Sequence, residues 1–293
     1  MGEEKKMTPL HLYCPRSHHP HGLSPPLWAD KYVDDVTAGE CLFIGSATSL
    51  ISTRKEVKTL HASGCEDLFM NIRSGAEAIR MRVNNSKTNL LCISLNPFCE
   101  VKSQIDIDGN TVESGETLKM LGFTFGNNCS MSAHVNYLYK KICARTWAIR
   151  KLKKAEIDID LILTYYKTVI QPVIEYAVQV YQHALTEEQS NKIESLHRLV
   201  LKIVYGFDVS YKRAVQRSGL KLLSERRDTI CLKFARKSAL NLRYAHWFPL
   251  KNESEYNLRK RLIYKEEYTA TERGWKSPLF SMRRILNTDN ANT

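Results

Sequence analysis

The sequence predicts an α+β chain: short strands within residues 30–130, then an all-helical, basic stretch over 131–250. Three observations carry this. Asp108-Gly109 separates the strand-like residues 104–107 and 111–112, a hairpin signal. From Ser132 onward apolar residues recur at helical spacing. The composition, 43% apolar and 25% charged over 293 residues, is globular and large enough for a real core.

Taken in order, residues 1–29 hold Pro9, Pro15, Pro20, Pro25 and Pro26 with His11, His18, His19 and His21, and lack periodicity. They read as an unpacked leader; Cys14 with three nearby histidines is a metal-ligand set by residue type, but a flexible tail with chance histidines fits better because no structured spacing holds the ligands. Residues 32–33 and 36–44 flank Asp34-Asp35 as strand, tight turn and strand. Residues 47–81 fit one or two helices on Leu60, Leu68, Ile72 and Ile79. Residues 89–95 read as a strand, the Asp108-Gly109 hairpin follows, and 118–125 read as one more strand.

Ser132 suits the cap of a helix running to about Lys154, with Leu138, Ile142, Ile149 and Leu152 inward and Arg145 interrupting. A helix over about 158–182 kinks at Pro172. Thr186 and Gln189 form a capping-box pattern. The helix it opens carries Ile193, Leu196, Val200 and Ile203 and stops at Gly206. A last helix spans about 223–243 with Ile230, Phe234 and Leu240 inward, and 251–293 form a polar, aromatic tail without assignment.

The net charge of +12, from 43 Lys+Arg against 31 Asp+Glu, favours a polyanionic partner: nucleic acid first, an anionic membrane face second. Eight cysteines include no C-x-x-C pair, which excludes zinc-ribbon spacing and a dense disulfide framework. Reduced thiols imply a cytoplasmic or nuclear setting. No apolar run follows the first charges, so no signal peptide is expected. The longest apolar stretch, 161–181, contains Lys167, Gln171, Pro172 and Glu175 and reads as a buried helix rather than a membrane span.

Two features carry chemistry. Asp34 and Asp35 are adjacent carboxylates at an expected hairpin tip, where like charges raise each other's pKa and a divalent cation relieves the cost. Two Mg²⁺ ions about 4 Å apart can activate a 3′-hydroxyl and neutralise a departing pyrophosphate. A surface turn with two solvated aspartates gives the same string. The second feature is the run Lys140, Lys141, Arg145, Arg150, Lys151, Lys153 and Lys154, with Tyr139 and Trp147 interleaved and no acid among them. Phosphate contact fits it, and so does a solvated helix face. Arg226, Arg227, Lys233, Arg236 and Lys237 form a second candidate patch.

These residues stand in a wider pattern. Lys31-Tyr32-Val33-Asp34-Asp35-Val36-Thr37 resembles the metal-binding palm hairpin of the reverse transcriptases of non-LTR, LINE-type retrotransposons of the CR1/L2/jockey-like group. Asn84-Asn85-Ser86-Lys87-Thr88 is similar to that family's N-x-x-K-T segment, and Leu118-Lys119-Met120-Leu121-Gly122-Phe123 to its K-x-L-G strand. His134 follows, and then Tyr166-Lys167 with residues 170–176, similar to the thumb-region YK-x-x-I-x-P-x-x-EY stretch. Residues 185–198 and Glu225-Arg226-Arg227 continue the resemblance, which covers about residues 30–250.

The resemblance implies a partial polymerase palm over 30–130, a helical thumb-like region over 131–250, and Mg²⁺ held by Asp34 and Asp35 with Asp34 the more direct ligand. It implies Tyr32 under the primer end, where a plain strand aromatic reads the same, Lys87 as proton donor to pyrophosphate or simply a solvated loop lysine, and Gly122 allowing close approach of the primer strand or simply a bulge. The basic run would grip an RNA or DNA template–primer, and dNTP is the substrate of the intact family enzyme. A third carboxylate is expected upstream, yet the acids before Asp34 are Glu3, Glu4 and Asp30. The expectation is therefore a reverse transcriptase fragment without fingers and half of the palm, unable to polymerise alone. The alternative is a nucleic-acid-binding or domesticated interaction module without catalysis. Oligomeric state is left open.

Overall fold

A computed structural model describes residues 27–32, 35–40, 56–61, 63–80, 82–93, 99–107, 109–251, 262–266, 268, 269 and 272–291. Mixed α and β structure is present, with small sheets preceding a run of helices. The chain divides into two compact units, residues 1–118 with 126–129 and residues 119–125 with 130–293.

In the first unit β1 (Leu27–Tyr32) and β2 (Asp35–Glu40) pair antiparallel, with Tyr32 opposite Asp35. The strand begins at Leu27, inside the span expected as leader; the rest of that leader and residues 41–44 lie outside the described residues. β3 (Glu56–His61) then precedes α1 (Ser63–Ala78), so residues 56–61 of the expected helical stretch form a strand; residues 47–55 of it lie outside the described residues. The cause is non-local: β3 pairs in parallel with β5 (Cys99–Ile107), Glu56 opposite Cys99, and nothing near β3 in sequence signals that partner.

β5 turns antiparallel into β6 (Asn110–Gly115), Ile107 opposite Asn110, with Gly109 at φ +77°. The Asp108-Gly109 hairpin is as expected, although Asp108 lies outside the described residues. β4 is short, Leu90–Leu91, and pairs with β6; Cys92 and Ile93 are not in it, and 94–98 lie outside the described residues. The sheet order is β3-β5-β6-β4. Its small core joins Ile105 and Ile107 to Phe69, Leu90 and Val112.

The expected single strand over 118–125 is two strands, β7 (Thr117–Met120) and β8 (Phe123–Gly126). Between them Leu121 and Gly122 have φ +47° and +81°. Two consecutive positive φ values are the type I′ hairpin geometry, which the apolar run of the sequence conceals.

The helical unit opens with α2 (Ser132–Lys154). Ser132 is not its cap: Ser130 Oγ accepts from the Ser132 amide at 3.2 Å, and Ser132 Oγ accepts from Gln189 at 2.9 Å. α3 (Ile159–Tyr165) runs into a π-helical turn over Tyr166–Ile170 before α4 (Gln171–Glu175). Pro172 has no N–H to continue an α ladder, and the helix widens just before it. The sharper break comes later, at Tyr176 and Ala177, where Ala177 takes φ +55° before α5 (Val178–Tyr181). The Tyr181 hydroxyl donates to the Ile174 carbonyl at this break.

α6 (Glu187–Tyr205) begins with the full Thr186–Gln189 capping box and ends at Gly206, φ +99°. α7 (Tyr211–Ser218) is an eight-residue helix with no sequence forecast. α8 (Leu223–Ala239) buries Leu223, Arg227, Cys231, Ala235 and Ser238, whereas Leu240 lies beyond its end and is exposed. Ile142, Ile149, Ile162, Ile170, Ile174, Val178, Val200, Leu201 and Val204 have no solvent exposure or almost none and form the core with Phe123 and Val135. Each such side chain contributes roughly 1.5–3 kcal/mol by leaving water. The tail is structured in part: α9 (Glu272–Trp275) and α10 (Pro278–Ala291) follow, and α10 packs on α8 through Met282 and Leu286.

Candidate nucleic-acid interface

The expected site residues fall in both units. In the first, Tyr32 and Asp35 stand opposite each other at the ends of the paired strands; Val33 and Asp34 lie outside the described residues. Lys87 closes a 3₁₀ turn, Asn85–Lys87, and is exposed. That turn is held by its own bonds: the Lys87 amide donates to the Asn84 carbonyl at 3.1 Å, and Asn89 Nδ2 donates to the Lys87 carbonyl at 2.8 Å. Among the described residues no group of three His, Cys, Asp or Glu side chains could hold a metal ion.

The basic residues of the second unit have a clear geometry. α2 buries Val135, Leu138, Ile142, Thr146 and Ile149, which fixes the opposite face outward. On that outward face lie Lys140, Trp147, Lys151 and Lys154, at i, i+7, i+11 and i+14, with Arg150 beside them. All five are exposed, and the Lys151 ammonium sits 5.4 Å from the Trp147 ring centre. Lys153 is exposed near the helix end.

Two members of the run differ. Arg145 is half-buried and donates from Nη1 to the Val169 carbonyl at 2.6 Å, inside the π-helical turn. Its position opposite Lys140 around the helix makes it a structural donor. Lys141 turns sideways to the Tyr137 hydroxyl, 3.1 Å away, which Lys119 of β7 approaches at 3.5 Å from the other side. The two ammonium groups, Lys141 chiefly, hold the Tyr137 phenol below its usual range. Sequence reading missed this pair because Lys119 belongs to a different motif; the i, i+4 spacing of Tyr137 and Lys141 was the available signal.

The second expected patch is dispersed by the structure. Arg226 pairs with Glu175 at 2.5 and 3.1 Å, and Arg236 with Asp289 at 2.5 and 2.9 Å. Arg227 is fully buried and donates to Gln182 at 2.6 Å and Ser190 at 2.9 Å. Only Lys233 and Lys237 of that set remain exposed without such a bond. A buried arginine cannot be told from a surface one by its charge, which is why the sequence grouped them.

The motif residues of this unit meet one another. Tyr176 donates to the Leu121 carbonyl beside Gly122, and His134 stacks on Phe123 with ring centres 4.1 Å apart. Tyr166 and His197 share a buried 2.7 Å bond. Glu194 accepts from Tyr211 at 2.5 Å and from the Leu223 and Ser224 amides at 3.2 Å, capping the start of α8 with a carboxylate. Burial pushes the His134 and His197 imidazoles down to about 4 and the Cys231 thiol up to about 12.

Among the described residues no helix is long and apolar enough to cross a membrane. Comparison with protein families, curated proteins and solved structures gives no match.

Proposed function

We propose that this chain is a nucleic-acid-binding part of a non-LTR retrotransposon reverse transcriptase. In this reading residues 30–130 correspond to part of the palm and 131–250 to a thumb-like region. The observation that carries it is the outward face of α2: Lys140, Arg150, Lys151 and Lys154 around Trp147, on a 23-residue helix without an acid. Such a face meets a phosphate backbone and releases its counterions on binding. The order of the resembling motifs along the sequence supports the polymerase origin, as does the Tyr32–Asp35 pairing that ends the β1–β2 hairpin.

Asp34 and Asp35 would hold Mg²⁺, which in this family neutralises charge as pyrophosphate departs. Lys87, exposed and basic, would donate a proton there, with Tyr32 beneath the primer end and Gly122 near the primer strand. In this reading two adjacent carboxylates need a third to complete that centre. The chain's activity is therefore binding of RNA or DNA template–primer without extension.

The test is one gel: purified chain, labelled RNA–DNA primer–template, Mg²⁺ and dNTPs, beside an Asp34→Asn/Asp35→Asn variant. A retarded band without extension is expected. Extension that the variant loses would overturn the non-catalytic reading, and absence of retardation at low salt would overturn the binding reading.

A further inference from the structure

The outward face of α2 is not uniformly charged. Trp147 is 62% exposed in mid-helix, although tryptophan burial is among the largest apolar gains a core can take. Its surroundings are cationic: Lys151 lies over the ring at 5.4 Å, Lys140 and Lys154 stand seven residues to either side, and Arg150 is next to it. Seven helical residues are about 10 Å along the axis, so charges bracket the indole at distances a nucleotide backbone spans. A duplex presents phosphates outward and keeps its base faces stacked inside. A single strand presents phosphates and base faces together.

We propose that Trp147 is a stacking platform for a base of single-stranded nucleic acid, with the flanking phosphates held by Lys140, Lys151 and Lys154. This rests on the nucleic-acid reading above and adds to it the strandedness of the ligand. Charge complementarity selects a polyanion. Within the row Lys140, Trp147, Lys151 and Lys154 the apolar contribution is one aromatic ring, since the apolar row of α2 is buried in the core, and the exposed Tyr139 ring stands to one side with the Lys192 ammonium 5.3 Å from its centre. An anionic membrane would ask for a broader apolar face. Stacking on an exposed aromatic is indifferent to base identity, so weak sequence preference follows.

The test uses the full chain with oligothymidylate of about 20 nucleotides, longer than the roughly 4–16 nucleotides a single binding module covers. A blunt DNA duplex of equal length and anionic phosphatidylserine vesicles are the competitors. Anisotropy reports affinity and tryptophan emission reports stacking. The single strand is expected to bind about 5-fold or more tightly than the duplex and to quench emission. Trp147→Ala should lose that preference while duplex affinity holds, Trp147→Phe should abolish the quench with partial affinity, and Lys151→Gln should weaken both ligands. Equal affinity for single strand and duplex, unaltered by Trp147→Ala, overturns the stacking assignment and leaves nucleic-acid binding intact. Vesicles displacing the oligonucleotide through Trp147 also overturn it. Failure of both nucleic acids to bind at low salt overturns this proposal and the nucleic-acid reading together.

Discussion

The Tyr176 hydroxyl donates to the Leu121 carbonyl, and the same ring lies 3.2 Å from where a Gly122 Cβ would stand. One side chain, just past α4, thus braces a turn 55 residues earlier. Both turn residues have positive φ, and Gly122 at +81° has neither the backbone tolerance nor the space for a side chain. Gly122→Ala is expected to cost about 1–3 kcal/mol in urea unfolding. Leu121→Asn, which creates the preferred Asn-Gly I′ pair at a half-exposed position, should gain about 0.5–1 kcal/mol. Equal effects of the two would contradict the turn assignment.

Arg145 and Lys151 belong to one basic run and should behave oppositely. Arg145→Met leaves the Val169 carbonyl without its donor and is expected to cost about 1–3 kcal/mol of stability. Lys151→Gln, on the exposed face, should leave the melting temperature unchanged and weaken nucleic-acid binding. Parallel unfolding and binding titrations of the two variants check this. A stable Arg145→Met protein with reduced affinity would contradict the structural role.

His134 and His197 are buried: His134 Nδ1 accepts from the Thr124 amide at 3.4 Å, and His197 Nδ1 shares a hydrogen bond with the Tyr166 hydroxyl at 2.7 Å. Both imidazoles are held neutral, with folded pKa values near 4 against an ordinary 6.5. The unfolded chain therefore binds more protons between those values. The stabilisation is complete above about pH 6.5 and is lost as pH falls towards 4, on the order of 1–2 kcal/mol per histidine by pH 5. Urea midpoints at pH 7 and pH 5 measure it. His197→Gln should flatten the dependence, and a wild-type midpoint that rises on acidification would contradict it.

The Thr186 hydroxyl accepts from the Gln189 amide at 3.2 Å while Gln189 Oε1 accepts from the Thr186 amide at 3.0 Å. Thr186→Ala is expected to cost about 1 kcal/mol. Thr186→Ser should retain nearly all of it, since it keeps the accepting oxygen. Thermal unfolding of the two variants separates the cap from any loss of the methyl group.

What could be read in the sequence was local. The Thr186 box, the Asp108-Gly109 hairpin and the long helices α2, α6 and α8 are each written in a few neighbouring residues. The misplacements were non-local. β3 depends on a strand some forty residues on, and the Leu121-Gly122 turn hides in an apolar run that reads as one strand. Tyr211–Ser218 is too polar and short to stand out before Ala214 is buried. At the candidate interface, helical spacing made Lys140, Trp147, Lys151 and Lys154 legible as one face. It could not show that Arg145 turns inward, that Arg227 is buried, or that Lys119 meets Lys141 at Tyr137.

In the proposed function the outward face of α2 holds a polyanion. The most direct measurement is the affinity of the full chain for a single-stranded oligonucleotide across salt concentrations, beside Lys140→Gln/Arg150→Gln/Lys151→Gln/Lys154→Gln. With about four phosphates neutralised, log K should fall against log salt with a slope of about −3, and the variant should lose most of that slope. A wild-type slope near zero, or one the four substitutions leave unchanged, would contradict the account.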